Sequence, residues 1–242
     1  MITETQLTEI RNYLLSKKLP IDILIEVNDH FISQISDLQR DENLSFDEAF
    51  EKVKENWKEE LTFEAVLMGT SQVKFLTKIK RKQNLDFFLF ALKIFATILI
   101  SSFLISNFGN VNIFIYFFSA ILILSFSTPL IIKMMNYKIF ELSRKYKKIQ
   151  LNSLQSISNI GSISIMYFFF FFKDFFKKSE QVFYILNGNY VRILNINERN
   201  ATMLCIMTFI LIFLFIFFSI KLYFFAKKVK DVKPFLSQFL MS

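Results

Sequence analysis

This 242-residue chain holds only four glycines, three prolines, one cysteine and one histidine. Each shortage excludes something. One cysteine, Cys205, permits no internal disulfide and no cysteine-rich metal site, and His30 has no second histidine to join it. So few glycines leave no Gly-rich phosphate loop, and no nucleophile elbow or metal quartet is legible. The chain is expected to be no enzyme and to need no catalytic, cofactor or metal residues. Met1–Arg11 is polar and acidic, so no signal peptide is expected there and the first apolar span is read as an uncleaved anchor.

What is abundant is grease, arranged unevenly. Phe alone accounts for 33 residues, and a water-facing surface that apolar would aggregate. Residues 1–72 carry 15 acidic side chains against 7 basic ones, whereas residues 73–242 carry 22 basic against 6 acidic. Apolar stretches of ~18 residues or more can span a bilayer, and four are present at about 86–106, 111–132, 153–172 and 201–225. The sequence thus divides into an acidic domain (1–72), a basic juxtamembrane linker (73–85), a four-span domain (86–226) and a basic tail (227–242). The expected fold is an all-α membrane protein: a three-helix head, then a four-helix transmembrane bundle.

Three helices are legible in the head. Leu7, Ile10 and Leu14 recur at helical spacing, and Leu19-Pro20 ends that run. From about Pro20 to Arg40, Leu24, Val27, Phe31, Ile35 and Leu38 form a seam. Ser45-Phe46-Asp47-Glu48 reads as a capping box, followed by the stripe Phe46, Ala49, Phe50, Val53, Trp57 and Leu61. Such short amphipathic helices must bury their stripes against one another or against a partner.

The motifs Leu19-Pro20, Glu26-Val27-Asn28-Asp29-His30-Phe31 and Ser45-Phe46-Asp47-Glu48-Ala49-Phe50 resemble the HAAS-type bacterial membrane proteins. After the third helix this chain has Trp57-Lys58-Glu59-Glu60-Leu61 where that family has a Leu-Gly-x-Pro ending. The resemblance implies a short helical head ahead of several spans, and a signalling or adaptor role, often beside PadR-like transcriptional regulators. It places a cytoplasmic protein partner on the head, with His30, Phe31, Phe46, Phe50 and Trp57 as the positions to watch; the same stripe also serves as core.

Charge outside the spans orients the chain. Lys74, Lys78, Lys80, Arg81 and Lys82 precede the first span. Lys133, Lys138, Arg144, Lys145, Lys147 and Lys148 separate the second and third. Lys227, Lys228, Lys230 and Lys233 follow the fourth. With four spans all three clusters fall on one side, so both termini are expected on the cytoplasmic side of a bacterial inner membrane. The clusters attract anionic lipid headgroups; topology accounts for them without nucleic acid. The acidic head is held off such a leaflet, or else docks onto the basic stretches 133–148 and 227–233. Self-association through the bundle is compatible with this pattern.

Further features carry chemistry or geometry. Asp22, Glu26 and His30 lie four apart, which suits either a metal or proton site or an ordinary surface histidine beside acids. In the third span Gln155, Asn159 and Ser162 share a face, with Ser158 and Ser162 at small-xxx-small spacing. That face reads as helix–helix adhesive or, alternatively, as the polar path of a small transporter. Lys93, with Asp86 two turns earlier, is a charged residue inside the first span, and its long stem lets it snorkel toward the surface. Between spans three and four, Val182–Leu186, Asn187-Gly188 and Asn189–Leu194 have the pattern of a β-hairpin with a type I′ turn.

Overall fold

The computed structural model describes residues 2–66, 70–145, 151–155, 175–188 and 198–235. Most of these are helical. The elements are α1 (Glu4–Ser16), α2 (Ile21–Asp41), α3 (Phe46–Trp57), β1 (Phe63–Val66), β2 (Thr70–Val73), α4 (Lys74–Phe108), α5 (Val111–Met135), α6 (Tyr137–Lys145), α7 (Phe175–Leu186) and α8 (Glu198–Val232). They fall into two compact units. One comprises Met1–Asn84, Glu141–Gln155 and Lys227–Ser242; the other comprises Leu85–Phe140 and Ser156–Ala226.

In the first unit, local chemistry sets the helix ends. Thr3 and Gln6 form a capping box on α1. Lys18, at φ 53°, turns the chain left-handed before Leu19-Pro20. Asn43, at φ 54°, does the same after α2. Ser45 then accepts from the Glu48 amide at 3.3 Å while Glu48 Oε2 accepts from the Ser45 N–H at 3.0 Å, which is the reciprocal capping box read from the sequence. The apolar stripes of the three helices meet in one core of Ile10, Leu14, Leu24, Val27, Phe31, Ile35, Phe46, Ala49, Phe50 and Val53.

Two features of this unit differ from the sequence reading. Phe63–Val66 and Thr70–Val73 pair antiparallel, with Phe63 opposite Val73 and Val66 opposite Thr70. Residues 74–85, read as a linker, are instead the first turns of α4. They are rich in Lys and hold no glycine or proline, so nothing interrupts the helix. Leu61, Val73 and Leu76 join the head core, and Lys74 and Lys78 pair with Glu59 and Glu60.

The second unit is built on long apolar helices. Lys74–Phe108, Val111–Met135 and Cys205–Phe235 are each long and apolar enough to cross a membrane. They overlap the expected spans one, two and four, and the first and third extend well beyond them on the side of the basic clusters. Much of α4's surface is bare hydrocarbon: Ile100 is 61% exposed, and Phe90, Phe103 and Leu104 are exposed as well. Lipid solvates such a face and water does not. Of the third expected span only Ser153, Leu154 and Gln155 lie within the described residues, and they form a turn.

The expected strand Val182–Leu186 is helical, which corrects the hairpin reading. It forms the last turns of α7, and α7 packs along α5. Val182 and Phe183 enter a core with Phe114, Phe118, Leu122 and Phe126, and the Ser119 and Ser179 hydroxyls hydrogen-bond at 2.8 Å in the buried contact. Ser179, Val182, Phe183 and Leu186 lie three and four apart, so one helical face meets that core. Asn187-Gly188 closes the helix: Gly188 has φ +70°, its N–H donates to Ile185 O at 3.2 Å, and the Asn187 N–H donates to Phe183 O at 3.0 Å. The positive φ that a type I′ turn requires is equally what a helix C-terminus takes. The second arm of the expected hairpin, 189–194, lies outside the described residues.

Candidate functional site

Phe31, Phe46 and Phe50 are 0%, 6% and 3% exposed, so three of the five head positions picked from the sequence fill the core. Their rings pack mutually and around Tyr13: Phe46 stacks on Phe50 at 5.5 Å between centroids, and Tyr13 meets Phe50 edge-on at 5.8 Å. They hold the surface in place and do not themselves form it.

The remaining two positions do reach the surface. Trp57, at the end of α3, is half-buried, with Phe31 at 5.6 Å and Phe75 edge-on at 5.5 Å. Its indole N–H donates to Gln34 Oε1 of α2 at 3.0 Å. His30 is exposed and lies 6.4 Å from the Trp57 ring. Beside them runs a groove of about 400 Å³ lined by Gln34, Asp37, Leu38, Val53, Asn56 and Trp57. Its floor is apolar and its rim offers amide and carboxylate groups, a mixture typical of surfaces that recognise a side chain with one greasy and one polar part. Gln34, Asp37 and Asn56 were not foreseen. Gln34 and Leu38 follow Phe31 and Gln34 by three and four positions, and that spacing is the signal that could have found them.

A second polar locus in the same unit surrounds Asp22. The Asp22 side chain is 9% exposed, and its Oδ2 accepts from Lys228 Nζ at 3.0 Å. The Asp22 N–H donates to Leu151 O at 3.4 Å, and Lys80, whose Nζ donates to Gln72 at 2.9 Å, is the other cation facing the carboxylate. Burial pushes the Asp22 carboxyl above its ordinary value; Lys228 and the backbone amides of Ile23 and Ser153 pull the other way without cancelling it. Oδ1 is buried without a hydrogen bond among the described residues. Asp22, Glu26 and His30 all lie on α2; Asp22 is buried against Lys228, and His30 is exposed.

Of the polar residues read into the spans, Gln155 and Lys93 lie among the described residues. Gln155 closes the 151–155 turn: its Oε1 accepts from Leu151 N at 2.6 Å and its Nε2 donates to Ser143 O at 3.3 Å. It falls in the first of the two compact units. Asn159 and Ser162 lie outside the described residues. Lys93 is exposed on α4, one turn from Thr97, whose hydroxyl donates to Lys93 O at 3.0 Å.

No protein-family model, curated protein or solved structure matches the chain.

Proposed function

We propose that this chain is a non-enzymatic membrane adaptor or signalling protein whose helical head binds a protein partner in the groove beside Trp57. The reading places the head and both termini on the cytoplasmic side of a bacterial inner membrane, with the long apolar helices and the 153–172 segment forming a four-span anchor. The observation that carries it is the half-buried Trp57, bonded to Gln34 at the edge of a groove that also offers Asp37 and Asn56. Aromatic anchors held in one rotamer over a pocket are the usual centres of protein contact. A PadR-like regulator or a membrane complex is the partner class that the motif resemblance suggests.

The test is site-specific photo-cross-linking in the full chain within its own membrane. A photoreactive residue at Asn56 should give one discrete protein adduct, lost when Leu38 is replaced by Arg. A photoreactive residue at the far face, such as Glu9, should not give it. Absence of any adduct at Asn56 would remove the adaptor reading. Reporter fusions that place residues 1–72 outside the cell would remove the orientation.

A further inference from the structure

Asp22 and Lys228 are 206 positions apart, yet they meet at 3.0 Å where α2 begins and α8 ends. The two partners are unequally protected: Asp22 is 9% exposed and Lys228 is 28% exposed. Three exposed lysines, Lys227, Lys230 and Lys233, flank Lys228 on the same stretch. α8 is membrane-length and apolar up to this cluster, so the cluster falls at the depth of headgroups.

We propose that the Asp22–Lys228 pair is a latch opened by anionic lipid headgroups, which compete with Asp22 for the basic end of α8. The inference rests on the membrane reading above.

Three physical facts make the pair suitable. First, the attraction within it is largely offset by the desolvation of Asp22, so a competitor need not overcome a strong bond. Second, a leaflet of anionic lipid attracts several lysines at once, each contributing on the order of 1 kcal/mol, whereas Asp22 holds one. Third, losing Lys228 would leave the buried Asp22 carboxyl with Lys80, which is already bonded to Gln72, and the backbone amides of Ile23 and Ser153. A buried charge stripped of its partner is strongly unfavourable. Capture of Lys228 by a phosphate therefore favours release of the start of α2 from the Leu151–Ser153 turn into water, which the opening of a surface ion pair would not do.

The experiment reads the buried partner. The full chain is reconstituted into nanodiscs of phosphatidylcholine, with or without phosphatidylglycerol, and its carboxyl groups are labelled by carbodiimide and glycine ethyl ester. Mass spectrometry then compares Asp22 with exposed Asp29. In phosphatidylcholine, Asp22 should label far more slowly than Asp29. Phosphatidylglycerol should raise Asp22 labelling severalfold. Lys228→Gln should raise it to the same level in either lipid, with the Trp57 emission unchanged to show that the head stays folded. Lys228→Arg should behave as the parent chain. If phosphatidylglycerol leaves Asp22 protected while Lys228→Gln exposes it, the pair closes the junction but lipid does not open it, and the proposal fails. If neither exposes Asp22, there is no latch. A chain that never enters the discs would end the membrane reading itself.

Discussion

The indole N–H of Trp57 donates to Gln34 Oε1 at 3.0 Å, tying the end of α3 to the middle of α2. A half-buried donor left without its acceptor costs roughly 1–3 kcal/mol. Gln34→Leu should therefore lower the head's resistance to denaturant by roughly that amount. Trp57 is the only tryptophan in the chain, so its emission follows the transition directly. A parent-like midpoint would mean that the bond does not organise the groove.

The Ser45–Glu48 capping box supports a second expectation. Ser45→Ala should destabilise the head by about 1 kcal/mol, the usual loss for an N-cap hydroxyl. The Ser45 bonds hold the Glu48 carboxyl below its ordinary value. A carboxyl depressed on folding stabilises the fold above its unfolded value, and that contribution is lost as pH falls through the folded one. The parent should therefore lose more stability on acidification than Ser45→Ala does. Thermal unfolding of the two chains across the acid range checks the difference.

His30 and Phe31 are neighbours in sequence with opposite fates. Phe31 is wholly buried against Tyr13 and Trp57, so Phe31→Ala should cost about 3–5 kcal/mol and unfold so small a head. His30→Ala sits on the surface and should stay within about 0.5 kcal/mol. If His30→Ala leaves folding intact but abolishes a cross-link from Asn56, the exposed edge of the aromatic cluster is where a partner binds. Circular dichroism and cross-linking of the same preparations separate the two effects.

Asp22 predicts the opposite pH trend to Glu48. Its carboxyl is raised on folding by burial, so the folded chain binds the proton more tightly than the unfolded one. Stability then falls as pH rises from the ordinary carboxylate value through the raised one. Asp22→Asn has no charge to desolvate and should lack that fall. The groups facing this position are Lys228 and Lys80. Stability measured from acid to neutral pH in both chains decides it; parallel curves would show that Lys228 fully compensates the buried charge.

These cases mark where the sequence was legible. Patterns carried by a single helix were readable: the Ser45–Glu48 box, the Leu19-Pro20 break and the Leu24–Val27–Phe31–Ile35 seam all rest on spacing within one element. Surface and core along a stripe were not separable, because Phe31, Phe46, Phe50 and Trp57 share one period and only packing shows that Trp57 has an open edge. The β1–β2 pair was overlooked because Phe63 and Val73 acquire their meaning only across the strands. The Asp22–Lys228 contact was legible as complementary charge between the head and residues 227–233, but not as a pair of named residues. An acid flanked by Ile21, Ile23 and Leu24 was the local clue.

Asn187-Gly188 shows how one dipeptide can serve two structures, and it gives the last prediction. A type I′ turn needs positive φ at both residues. A helix terminus needs it at one, and here only Gly188 has it, at +70°. Gly188→Ala should therefore destabilise the α7 terminus by about 1 kcal/mol, while Asn187→Ala, in a position that a helix-former tolerates, should be close to neutral. Among the described residues, and apart from its chain neighbours, no atom lies within 4 Å of a side chain added at Gly188, so the loss reports backbone conformation and not crowding. Thermal unfolding of the two variants in detergent discriminates the structures: equal losses at both positions would restore the hairpin, and a loss confined to Gly188 keeps Val182–Leu186 in the helix against α5.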